Sequence, residues 1–299
     1  MKGMTAKGLG IVCGIGASGL GIAYLALAGA PLPYLAIQTA ALAIGLVALL
    51  IVKRIGGRLP SDAGSSVVLL LAGALMATAL FGPSIEGAAR WVRFGAVYLQ
   101  TSLILIPPML LLFARGSGPM SAGGMILAAA ALALQPDRAM AGVVAAGLGS
   151  LAFVRRDGWT LAAAASAAAA FLATLAQPDN LPAVPFVDRV LYTAFDVHLA
   201  AGLAVLGGSL MLVLPMLGSG DRSARLVFGI MWIAIVAAAA LGNYPTPVVG
   251  YGGSAVLGYL LSVALLPGMP RAREAAAPSR SARGGASEGD GSLRVAAAA

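Results

Sequence analysis

Asp188, Tyr192 and Asp196 recur at four-residue spacing where a long apolar run begins, and on a helix that spacing puts all three on one face. Asp196 would then lie near the membrane surface, where a carboxylate is costly to bury and its presence calls for an explanation. His198, the only histidine, lies two residues beyond Asp196. On a helix it would stand about 200° away from the acid, so it reads as a packed or interfacial side chain. Arg90 and Arg93 are three apart with Trp91 between them and Tyr98 close behind. On one helical face, two guanidinium forks would grip a diphosphate; alternatively, the arginines only snorkel while the aromatics anchor at headgroup level. Leu134-Gln-Pro-Asp-Arg138 sets Asp137 beside a cation in a turn that the proline enforces. Asn243-Tyr-Pro-Thr-Pro-Val-Val-Gly-Tyr-Gly-Gly-Ser-Ala255 places two prolines, three glycines and two tyrosines between apolar runs. Such backbone is tolerated near a membrane face where it lines a cavity, and its glycines would let a phosphate or sugar approach Tyr251.

The elements that must position these groups are membrane helices. The chain has 299 residues, of which 60% are hydrophobic and 10% charged, and its mean hydropathy is +0.93. A soluble core of this size could not hide so much apolar surface. Ten apolar segments fall near 8–29, 32–52, 65–82, 98–113, 120–135, 139–154, 159–176, 190–217, 225–241 and 247–267. The first is too long, and too soon followed by another, to be a cleaved signal. The Ala-rich run within the seventh reads as an ordinary packed span, since small residues suit close helix contacts in lipid. Pro185 suits a first helical turn, so the eighth helix is expected from near Phe186 to Leu217, about 48 Å, with its first turns above a hydrocarbon layer of about 30 Å. The stretch joining the third and fourth segments is expected to be an amphipathic segment at the outer interface, with Arg90 and Arg93 on one helical turn. Cys13, the only cysteine, excludes an internal disulfide and any Cys-based zinc site.

Basic residues set the orientation. Assigned to alternate loops, 15 of the 19 Lys and Arg residues fall on the N-terminal side and only Arg90, Arg93, Arg138 and Arg189 on the other. The positive-inside rule then places both termini in the cytoplasm. The net charge of +8 is therefore a record of topology; no basic patch interleaved with exposed aromatics points to nucleic acid. Residues 1–267 form one membrane domain. Residues 268–299, rich in Arg, Ala, Ser and Gly, read as a disordered cytoplasmic tail.

Three stretches resemble a known family. Gly250-Tyr-Gly-Gly-Ser254 opens the last segment after a proline-rich turn. Gly87-Ala-Ala-Arg-Trp91 leads to Leu99-Gln-Thr-Ser102, and Leu134-Gln-Pro-Asp137 follows. In this order and in a ten-span frame, they resemble signatures of the SEDS family (shape, elongation, division and sporulation), represented by RodA and FtsW. The resemblance implies an all-α bundle of about ten transmembrane helices in the bacterial cytoplasmic membrane. It also implies a glycosyltransferase that polymerises lipid II, a lipid-linked disaccharide precursor, into peptidoglycan at the outer face, commonly with a transpeptidase partner. The family's essential aspartate corresponds to Asp196, with Asp188 the second choice. Substrate contacts would come from Arg90, Arg93, Trp91, Gln100, Asp137, Tyr251, Gly252, Gly253 and Ser254. A divalent metal could assist, although no ligand cluster announces one. The sequence also departs from the family: Thr101, Leu103 and Ile106 replace a proline, an acid and a lysine, Ala204 and Val205 replace two glutamates, and the outer loop before the eighth segment is short. These departures keep open a second reading, a non-catalytic membrane scaffold that binds a partner or a lipid-linked precursor.

Overall fold

A computed structural model describes residues 4–56, 63–95, 97–179 and 181–267. The tail expected to be disordered, 268–299, lies outside the described residues. The helices are α1 (Ala6–Leu27), α2 (Leu32–Gly56), α3 (Ala63–Phe81), α4 (Thr101–Arg115), α5 (Pro119–Leu134), α6 (Arg138–Arg155), α7 (Gly158–Leu175), α8 (Val190–Val197), α9 (Leu199–Met211), α10 (Arg222–Leu241) and α11 (Gly253–Leu265). A hairpin of β1 (Trp91–Phe94) and β2 (Val97–Gln100) separates α3 from α4. α1, α2, α3, α6, α7 and α10 are each long and apolar enough to cross a membrane, and α4, α5, α9 and α11 are shorter apolar helices. With α8 and α9 taken as one pass, the described residues hold about ten apolar passes, in line with the ten apolar segments.

Because successive helices alternate in direction, the connections sort to two ends. One end gathers the hairpin, the turn at 135–137, the loop at 176–189 and the loop at 242–252, stitched by bonds such as Thr246 N–H to the Val187 carbonyl at 2.8 Å. The other end joins the start of α1 to the turn before α10, where the Ala6 N–H donates to Ser219 at 2.9 Å. Lys53, Arg54, Arg115 and Arg155 lie in last helical turns at this second end, where the partial negative charge of a helix C-terminus favours cations. Asp137, Asp157 and Asp221 cap α6, α7 and α10 by accepting from backbone N–H groups, which satisfies donors that a helix start leaves open.

α11 is the central element, packed on α1, α2 and α4. Its approach to α4 is backbone on backbone, since a side chain at Gly258 would overlap the Leu103 carbonyl. Small residues permit such contacts, which hold helices together where lipid supplies no hydrophobic drive. Tyr259 on α11 meets Trp232 edge-on at 4.9 Å between ring centroids and Phe228 at 5.6 Å.

Two expected elements differ. The long eighth helix is broken at His198, whose backbone is extended (φ −169°, ψ 145°). Its Nδ1 accepts the Ala200 N–H at 3.0 Å and so caps a new helix, α9. Gly202 leaves the room in which the Phe195 ring folds back on α9, and a 3-10 turn, Leu214–Leu217, ends the pass. The stretch before α4 is a hairpin, not an amphipathic helix. Trp91, Val92, Phe94, Val97 and Tyr98 are β-formers, and Gly95 at the tip takes φ +59°, which a tight hairpin turn requires. Arg90 and Arg93 therefore do not share a helical face: Arg90 is buried and Arg93 exposed.

Candidate functional site

Arg90 enters the site just before β1. Its Nη2 donates to the Pro136 carbonyl and to Asp179 Oδ1, the latter at 3.3 Å. The second Asp179 oxygen accepts the Tyr244 hydroxyl, and the guanidinium stands 6.0 Å from the Tyr244 ring centre. Burial and the neighbouring carboxylate hold the Tyr244 hydroxyl well above its ordinary pKa, so it stays a donor. One ion pair thus ties the hairpin, the turn after α5, the loop after α7 and the loop after α10.

Beside it lies a second network. Asp137 is fully buried; its Oδ2 accepts from Ser102 Oγ at 2.6 Å and from Gln100 Nε2 at 3.2 Å, while Oδ1 accepts the Met140 N–H at 3.2 Å. The Gln100 N–H donates to Ser254 Oγ at 2.9 Å. Gln100, Asp137 and Ser254, separated in sequence, therefore meet. Gln100 and Tyr244 also border a small crevice with a cavity volume of about 10 Å³, room for about one water, otherwise lined by apolar side chains of α4, α6 and α10 and by Pro245.

The proline- and glycine-rich loop folds inward. Gln38 on α2 donates to the Val248 carbonyl at 2.6 Å and accepts the Gly252 N–H at 3.3 Å. Val248 has φ +67°, which a β-branched residue rarely adopts, and the Val249 N–H reaches back to the Pro247 carbonyl at 2.7 Å. Val249 lies on the α1 backbone at Gly21, where no Cβ would fit. The loop's free backbone groups thus find partners inside the protein. Tyr251 is stacked on Tyr34 at 3.8 Å between ring centres, so that face of its ring is taken. Gly252 precedes α11 at φ +152°, and Gly253 abuts Ala41.

Asp196 is exposed on α8, and among the described residues its side chain makes no hydrogen bond. Asp188 is not on its helical face: it precedes α8, is 8% exposed, and accepts the Val184 N–H at 2.8 Å. Burial pushes its carboxyl pKa up. Asp188, expected in helical first turns that stand above the hydrocarbon, is instead the more buried of the two acids. Trp91 is half-buried in β1. Exposed Arg93 donates to the Gly95 carbonyl at 2.9 Å and stands over the Tyr98 ring. Among the described residues no three His, Cys, Asp or Glu side chains group as metal ligands, so no preformed cage for a divalent ion is offered. Sequence reasoning missed Asp179, Tyr244, Ser102 and Gln38 as site residues. One signal was present: Gln177-Pro-Asp179 repeats Gln135-Pro-Asp137, and the two triplets end α5 and α7, which pack together.

Comparison with solved structures places this architecture. The rod shape determining protein RodA of Thermus thermophilus matches with a TM-score of 0.60 at 22% identity, over 86% of this chain and 93% of that one. A mutant of the same protein matches at 0.58 and 22%, over 86% and 94%. A chain from work on the structural coordination of polymerization and crosslinking by a peptidoglycan synthase complex matches at 0.55 and 21%, over 86% and 95%. No family model matches the sequence, and no curated protein does. The likeness establishes the fold: a RodA-like, multi-pass helical membrane bundle.

Proposed function

We propose that this chain is a SEDS-like envelope glycosyltransferase that binds a lipid-linked disaccharide diphosphate at the loop-rich end and polymerises it outside the cytoplasmic membrane, with both termini inside. The observation that carries the reading is the meeting of Gln100, Asp137 and Ser254, which the family resemblance picks out from three separate stretches, in one buried network at the loop-rich end. Fold likeness alone does not fix function; the agreement of the motif residues in space is what adds to it.

In this reading Asp196 is the general base. It accepts the proton of the acceptor sugar hydroxyl as that oxygen bonds to the anomeric carbon, and the bond from that carbon to the diphosphate breaks, the diphosphate leaving with the electron pair. It is exposed and makes no side-chain hydrogen bond among the described residues, which leaves its oxygens available for this task. Arg93, exposed beside Trp91, is the cation available to the leaving diphosphate, whose charge grows in the transition state. Arg90 is committed to Pro136 and Asp179, so its role is to hold the frame. Asp188, buried under the Pro245 turn, positions the outer loop instead of acting on substrate. Tyr251, Gly252 and Gly253 shape the wall beside α11. A crosslinking transpeptidase is the partner class that accompanies this reading. The test is polymer formation from labelled lipid II by the purified chain in a lipid bilayer. Precursor binding without polymer would support the scaffold reading.

A further inference from the structure

The register of the hairpin has a consequence for the membrane. Trp91 pairs with Gln100, Val92 with Leu99, Arg93 with Tyr98 and Phe94 with Val97. Side chains alternate across a strand, so Val92, Phe94, Val97 and Leu99 share one wholly apolar face, while Trp91, Arg93, Tyr98 and Gln100 share the other. At the tip Phe94 is 72% exposed. A lone two-stranded ribbon is marginal in water, and this one packs through β2 on α11 while its apolar face stays partly open.

The depth of the hairpin is fixed at its base. Directly after α3, a Cβ at Gly82 would stand 2.9 Å from the Trp91 carbonyl oxygen, and Gln100 leads straight into α4. Both ends therefore sit at the level where two passes leave the hydrocarbon, beside Phe81, itself 84% exposed. Four residues of strand reach about 13 Å, whereas the polar zone outside the hydrocarbon is only about 5–8 Å thick on each side. An upright hairpin would carry Phe94 through the headgroups into water. A flat one would rest the apolar face on acyl chains and keep Arg93 and Tyr98 among headgroups, the level that such side chains favour.

We infer that the β1–β2 hairpin lies flat in the membrane interface as a lipid-binding element, with Val92, Phe94, Val97 and Leu99 on the acyl chains and Arg93 and Tyr98 toward the headgroups. This placement stands whether or not the chain transfers sugar. It is tested on the full chain in vesicles of phosphatidylethanolamine and phosphatidylglycerol, with Cys13→Ala and one nitroxide at Phe94→Cys or at Arg93→Cys. The nitroxide at 94 is expected to collide several-fold more with oxygen, which partitions into acyl chains, than with a water-soluble nickel chelate, and the one at 93 is expected to show the opposite bias. Chelate dominance at both sites, or shielding of site 94 from both reagents, would overturn the inference. A variant with the hairpin intact gives an independent reading: in Trp159→Phe, Trp232→Phe, which leaves Trp91 as the only tryptophan, shallow-brominated lipids should quench Trp91 more than aqueous iodide does. The reverse order contradicts the flat placement.

Discussion

Arg90 and Asp179 form an ion pair at 3.3 Å, with side chains 4% and 16% exposed, and Tyr244 closes the second oxygen of the acid. Removing one partner of a buried pair leaves the other charge uncompensated. Asp179→Asn is expected to destabilise the chain by about 3 kcal/mol, at the low end for such pairs because Asp179 keeps some solvent contact. Thermal unfolding in detergent checks this. The double variant Arg90→Met, Asp179→Leu should lose less than the sum of its single changes.

Asp188 makes stability depend on pH. Burial raises its folded-state pKa above the ordinary 3.8, so the folded chain holds this proton more tightly than the unfolded chain does. Its contribution is full below the unfolded value and is lost as pH rises through the raised one. Melting temperatures measured from pH 4 upward should therefore fall more steeply in the unsubstituted chain than in Asp188→Asn. Parallel curves would remove Asp188 as the cause.

Orientation can be read with a membrane-impermeant maleimide, because Cys13 is buried. In intact cells, cysteines at Ser84 and Asn243, on the loop-rich end, should label from outside. A cysteine at Arg156, on the basic end, should label only after permeabilisation. The opposite pattern would invert the bundle and move the proposed site to the cytoplasm.

How much was legible in the sequence depended on how local the cause was. The passes were legible because apolar runs of membrane length have few other uses, and the proline after Gln135 did end a helix. The break at His198 was not, because it depends on a side-chain cap and on Phe195 resting on Gly202, contacts that an apolar pattern does not encode. The hairpin was missed for a different reason: arginines three apart suggested a helical face, while the β-forming residues between them and Gly95 carried the stronger local signal. Asp137 could be named from its motif. Its link to Gln100 is tertiary, as is the junction of Asp179 with Arg90.

In the proposed function, the loop-rich end transfers glycans with Asp196 as base. The most direct measurement is the rate of polymer formation from labelled lipid II by the purified chain, compared with Asp196→Asn under the same conditions. The substitution keeps the shape and removes the charge, and a positioned base contributes about 10² to 10⁴ in rate. Polymer is expected from the unsubstituted chain and a loss of that size in Asp196→Asn, with expression and precursor binding unchanged. Equal rates in the two proteins, or bound precursor with no polymer from either, would contradict it.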